Sequence, residues 1–181
     1  ATVGSVTVKA SADDVYKDAG KVEATIKDAT GGNFENLVTS PGAAVTEVTD
    51  TINTSTVSLT ATSSVAEGGN VVYTASVTAP VTGSPVVVTL SNGEKITIAV
   101  GESNASITVK APNDALVGHE PLTNAIKDVT GGNYESLVAD KTPTSTAISD
   151  TLDTTKVTMT ASDYVVEGGT ITYTVNLRSE E

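Results

Sequence analysis

The sequence predicts an all-β chain in which β-sandwiches of about 100 residues follow one another in tandem. Three observations support this. Thr and Val, 31 and 26 of the 181 residues, supply nearly a third of the chain, and β-branched side chains suit the pleated, half-buried surface of a sheet. The chain repeats itself at an offset of 100. Its apolar residues alternate with polar ones in short runs, the period of a strand.

The repeat is visible in three places. Asp28-Ala-Thr-Gly-Gly-Asn-Phe-Glu-Asn-Leu-Val38 returns as Asp128-Val-Thr-Gly-Gly-Asn-Tyr-Glu-Ser-Leu-Val138. Asp50-Thr-Ile-Asn-Thr54 returns as Asp150-Thr-Leu-Asp-Thr154, and Val65-Ala-Glu-Gly-Gly69 as Val165-Val-Glu-Gly-Gly169. Val6 to Ala10 matches Ile107 to Ala111 with a shift of one residue. A period this long exceeds a solenoid turn and suits an independent domain. The phase divides the chain into 1–52, the C-terminal half of one repeat, 53–152, a complete repeat, and 153–181, the opening strands of the next.

Within the complete repeat seven short strands are expected in order. Val57, Leu59 and Ala61 mark the first, and Val71, Tyr73, Ala75 and Val77 the second. Val86 to Leu90 is a fuller apolar run, followed by a turn at Ser91-Asn-Gly93 and a fourth strand at Ile96 and Ile98. Ile107 and Val109 mark the fifth, Ala125 to Val129 the sixth, and Thr146 to Ile148 the seventh. Seven strands at this spacing read as an immunoglobulin-like β-sandwich, although its cysteine and tryptophan hallmarks are absent. The half repeats at either end cannot bury a face of their own.

Composition excludes several functions. With 22 acidic residues against 10 basic, the formal charge of -12 repels nucleic acid and anionic lipid. There is no Cys, hence no disulfide and no thiolate nucleophile or ligand. His119 is the single histidine, which excludes multi-histidine zinc sites. No apolar run approaches the roughly 18 residues of a membrane span, and the first residues carry no signal-peptide pattern.

Alternating strands place the loops after the first, third and fifth strands at one pole, beside the exit of the seventh. That pole collects Glu67, Asn113, Asp114, Glu120, Asp150 and Asp153. The opposite pole carries Asn133 and Glu135 and faces the linker from the preceding repeat. A first junction would therefore gather Asp13, Asp14, Asp50, Asn53, Asn133 and Glu135, and a second Glu67, Asp114, Asp150 and Asp153. Carboxylates and amides without thiolates are hard oxygen donors suited to calcium. The plain alternative is solvated turn residues, since Asp and Asn favour turns anyway. Phe34 and Tyr134 are read as caps on the end of a core rather than ligand-stacking aromatics. Tyr73 and Tyr173 are read as core residues, and Tyr16 and Tyr164 have no evident partner.

Val88 to Gly101, Asp128 to Val138 and Val65 to Ala75 resemble the tandem immunoglobulin-like extender repeats of giant type I-secreted, repeats-in-toxin bacterial biofilm adhesins. The large adhesion protein of pseudomonads and a marine ice-binding adhesin are examples. The resemblance covers essentially the whole chain. It implies a structural extender at the bacterial cell surface, outside the cell, projecting an adhesive tip. It also implies calcium at the junctions, carried over onto Asp50, Asn53, Glu67, Asp114, Asp150 and Asp153. Asn53 stands where the second linker has Asp153, so the first linker has one charge fewer.

An enzyme is not expected. The acids fall in turns, no Trp lines a sugar cleft, and no nucleophile or phosphate motif is present. The alternative to an extender is a module that grips a glycan or protein ligand. Expected partners are calcium ions and neighbouring repeats of the same chain. The half repeats are complementary, which also suggests head-to-tail association between chains.

Overall fold

The computed structural model describes residues 2–180 and holds fourteen strands, with no helix among the described residues. Ten of them share one core: β3 (Thr54–Ala61), β4 (Ser64–Ala66), β5 (Asn70–Val77), β6 (Val86–Leu90), β7 (Lys95–Ile98), β8 (Asn104–Lys110), β9 (Leu122–Asn124), β10 (Ile126–Thr130), β11 (Ser136–Ala139) and β12 (Thr144–Ser149). One sheet has the order β11-β3-β5-β8, a second β10-β6-β7, and a third β4-β12-β9.

Period-two alternation sets which face is buried. Val71, Tyr73, Ala75 and Val77 of β5 and Val57 and Leu59 of β3 point inward from the first sheet. Val86, Val88 and Leu90 of β6, Ile96 and Ile98 of β7 and Ile126 of β10 meet them from the second. The result is a β-sandwich. Fully burying each such aliphatic side chain contributes roughly 1.5–3 kcal/mol.

The structure departs from the seven-strand expectation in three places. The sixth strand is broken into β9 and β10 at Ala125. Buried Asn124 fixes the break, its Oδ1 accepting from Ser91 Oγ (2.7 Å), Asn92 N (3.3 Å) and Ala125 N (3.1 Å). The seventh strand begins earlier, as β11, which lies parallel to β3. It resumes as β12, parallel to the short β4 and antiparallel to β9. First and last strands thus run side by side and change sheets together. Thr146 Oγ1 donates to Thr62 O (2.6 Å) at that crossing.

Outside this core lie two antiparallel pairs, β1 (Gly20–Ala24) with β2 (Ala44–Val48), and β13 (Thr154–Ala161) with β14 (Tyr173–Glu180). Their registers repeat those of the core unit at an offset of 100. Val157 faces Leu177 as Val57 faces Val77, and Ala24 faces Ala44 as Asn124 faces Thr144. No second sheet covers these pairs. Tyr173, expected in a core, is therefore exposed, and Phe34 is 70% exposed where its counterpart Tyr134 is 3%. Val6 to Ala10 forms no strand and pairs with no counterpart of β5, the partner that β8 has in the core unit.

Candidate functional site

The first junction is built on the loop between β10 and β11. Gly131 and Gly132 adopt φ of 95° and 71°, and an added Cβ at Gly131 would strike the Pro85 carbonyl oxygen. This tight turn presents Asn133, Tyr134 and Glu135 to the preceding segment. Lys17 N donates to Asn133 O (3.0 Å), Asn133 Nδ2 returns a bond to Lys17 O (3.1 Å), and Glu135 N donates to Val15 O (3.0 Å). Tyr16 stacks on Tyr134 with ring centroids 5.5 Å apart.

The predicted acids of this junction meet around that contact. Asn53 N donates to Glu135 Oε2 (2.6 Å), and Asn53 Nδ2 donates to Asp13 Oδ2 (2.8 Å) and Asp14 O (2.9 Å). Thr51 Oγ1 donates to Asp13 Oδ1, which together with Asn53 holds the Asp13 carboxyl below its ordinary value. Asp18 N donates to Asp50 Oδ2 (3.2 Å). A cleft of about 190 Å³ opens here, lined by Asp13, Asp14, Asp18, Asp50 and Glu135 and by no basic side chain. Asp18 was not anticipated from the sequence. Although Asp18 is exposed, partial loss of hydration, and then the charges of Asp14 and Asp50, raise its carboxyl above the ordinary value.

The second junction reuses the frame. Leu116 N donates to Asp114 Oδ1 (2.7 Å) as Tyr16 N does to Asp14 Oδ1 (2.7 Å). Gly118 N donates to Asp150 Oδ2 (2.9 Å) as Asp18 N does to Asp50 Oδ2. The one-residue shift between Val6–Ala10 and Ile107–Ala111 is thereby absorbed before Asp14 and Asp114. Glu67 is buried, and Thr151 N (2.7 Å) and Thr151 Oγ1 (3.1 Å) donate to its Oε2. Its Oε1 meets His119 Nε2. The Thr151 backbone bond above all, with His119, lowers the Glu67 carboxyl against the effect of burial. The bond to Glu67 raises the His119 imidazole, and the charges of Asp114 and Asp150 add to this. Asp153 Oδ2 is buried without a hydrogen-bond partner, whereas Glu120 is exposed.

The two junctions differ in convergence. Glu67, Asp114 and His119 bring three donor atoms within 4.8 Å of one another, the one such group among the described residues. The five acids of the first junction are spread around their cleft. His119 was visible in the sequence only as a lone histidine; its place in the loop carrying Asp114 was the available signal.

The LapA domain family model matches residues 1–51 and 53–151. No curated protein and no solved structure matches the chain.

Proposed function

The chain belongs to the LapA domain family, and we propose that it is a structural repeat of a bacterial surface adhesin. In this reading it spaces and stiffens the parent protein outside the cell and serves attachment or biofilm formation. One observation carries the reading. Side chains and backbone from two successive sequence repeats, and from the linker between them, interlock at the first junction. An all-β fold in an adhesin family suits a mechanical rather than a catalytic task.

The reading extends to calcium. The donors fit a hard cation: five carboxylates line the first cleft, Asn133 and the Asp14 carbonyl lie beside it, and no basic side chain neutralises them. Beyond partial loss of hydration, the raised Asp18 carboxyl reflects the crowding of Asp14, Asp50 and Asp13 around it, which a cation would relieve. Asp13, Asp14, Asp18, Asp50, Asn53, Asn133 and Glu135 would hold the ion there. At the second junction Asp150 and Asp153 would do so with Glu67 and Asp114, and the unpartnered Asp153 Oδ2 supports this. The bound charge would lock the linker and turn a chain of domains into a stiff rod.

Small-angle scattering and thermal melting in millimolar calcium and in chelator test this. Calcium is expected to lengthen the particle and raise the Tm, and Asp50→Asn to weaken both responses. Identical curves in the two conditions would overturn the calcium brace.

A further inference from the structure

We propose that Leu116 and Val117 form the free half of a joint that docks on the Gly31–Glu35 turn of a second copy of this chain. The first junction is the template. There Tyr16 lies on Tyr134, Lys17 N donates to Asn133 O (3.0 Å), and Glu135 N donates to Val15 O (3.0 Å). Val15 and Tyr16 thereby pack on the core unit. The hydrogen bonds at Asp114 and Asp150 repeat those at Asp14 and Asp50, which sets Leu116 at the Tyr16 position and Val117 at that of Lys17. Leu116 is 73% exposed and Val117 96%. Val117 N and Ala115 O, the counterparts of Lys17 N and Val15 O, make no backbone hydrogen bond among the described residues.

The matching half is already formed. Gly31 and Gly32 adopt φ of 91° and 83°, against 95° and 71° at Gly131 and Gly132. The Phe34 ring sits over Gly32 as the Tyr134 ring sits over Gly132, so that an added Cβ would strike the ring in either turn. Phe34 nevertheless stays exposed, whereas Tyr134 is covered. Asn33 and Glu35 stand where Asn133 and Glu135 bridge to the preceding segment, and no backbone hydrogen bond engages either among the described residues.

Two features select this occupant. In the core unit the turn at 131–135 meets the preceding segment, whereas the loop carrying Leu116 meets the exit linker through Asp150. The two halves of one repeat thus serve different neighbours. The chemistry also matches. Tyr16 and Tyr134 both end in a hydroxyl, and both hydroxyls reach carbonyl oxygens. Leu116 and Phe34 both lack one, so their contact buries apolar surface and leaves no hydroxyl unpaired. Each copy brings one half of either kind, so the contact is heterologous and builds open chains rather than a closed dimer. The net charge of -12 opposes association, as does the approach of Glu35 to Asp153 at the place where Glu135 meets Asn53. Salt should therefore strengthen it.

The test is analytical ultracentrifugation of the whole chain over a concentration series, in chelator and high salt. Mass should grow with concentration beyond that of a dimer. Leu116→Asp and Phe34→Asp, both at exposed positions and with unchanged melting, should each weaken association about tenfold or more. A mixture of the two variants should recover a single joint, between Leu116 of one chain and Phe34 of the other, and stop at a one-to-one complex. A chain that stays monomeric would overturn the proposal. So would association that neither variant changes, which would assign it to the exposed edges of the outer strand pairs. Calcium is absent throughout, so the calcium brace stands or falls separately.

Discussion

Tyr16 and Tyr134 lie against each other across the first junction and send their hydroxyls to neighbouring carbonyls, Tyr16 to Pro80 O (2.6 Å) and Tyr134 to Ala79 O (2.7 Å). The pair ties a segment from one repeat to the core edge of the next without any ion. Tyr16→Phe keeps the ring contact and loses one hydrogen bond, a cost of about 0.5–1.5 kcal/mol. Tyr16→Ala removes both contacts. Hydrogen exchange at the Lys17 and Glu135 amides, which bridge the same junction, should speed up strongly in the alanine variant and slightly in the phenylalanine one. Equal protection in all three proteins would show that the tyrosines do not hold the junction.

The core unit and the outer strand pairs should respond differently to the same truncation. Leu90 is wholly buried, and Leu90→Ala should cost about 2–5 kcal/mol. Leu177 occupies the strand position of the core residue Val77 but is 72% exposed. Leu177→Ala should stay within roughly 0.5 kcal/mol. Chemical denaturation of the two variants decides it, and similar losses would mean that β13 and β14 are covered in solution.

Equivalent glycines should also part company. Gly31 and Gly131 share a left-handed φ, 91° and 95°. Around Gly31 nothing lies within reach of an added Cβ, whereas at Gly131 the Pro85 carbonyl blocks it. Gly131→Ala therefore meets both backbone strain, of order 1–3 kcal/mol, and a collision. In Gly31→Ala the strained segment lies outside the shared core. The melting point should fall clearly for the first and barely for the second.

The His119–Glu67 contact should leave a mark on the pH dependence of stability. His119 is raised in the folded chain, so its contribution is complete below the ordinary imidazole value of about 6.5. That contribution disappears as pH climbs through the raised value. Glu67 is lowered, so its contribution is present above the ordinary carboxylate value and is lost as pH falls through the lowered one. Asp114 and Asp150 also press on His119. Melting points across pH 2–9, measured in chelator, should decline on the alkaline side in the native chain. His119→Gln should flatten that decline. The acid limb should persist in the variant, because Thr151 still holds Glu67. An unchanged alkaline limb would assign it to other groups.

Local alternation revealed β3, β5 and β7, because one face of each is buried and the period of two is therefore enforced, and β6 showed as a continuous apolar run. β11 was hidden. Ser136-Leu-Val-Ala139 is too short to show a period, and its parallel pairing with β3 is a long-range event that no local pattern reports. The break at Ala125 depends on Asn124 reaching Ser91, again across the fold. At the junctions, strand parity put Asp13, Asn53 and Glu135 in one group, and hydrogen bonds connect them. Asp18 and His119 were missed because loop paths, not strand order, bring them to the other acids. Tyr173 and Phe34 were misplaced because the repeat transfers their pattern but not the sheet that would cover them.

The parallel course of β3 beside β11, and of β4 beside β12, has a consequence for load. The chain enters the unit on one of these strands and leaves on the other, so its attachment points sit at opposite ends. Tension along the chain then slides the two strands past each other, and the hydrogen bonds linking them resist together rather than parting one at a time. Forced extension is governed by the unfolding rate rather than by equilibrium stability. In single-molecule pulling, Ser136→Pro or Leu137→Pro, at the β11–β3 pairing, should lower the rupture force far more than an equally destabilising change in β7. A domain fastened in this way can withstand tension that equilibrium stability alone would not suggest.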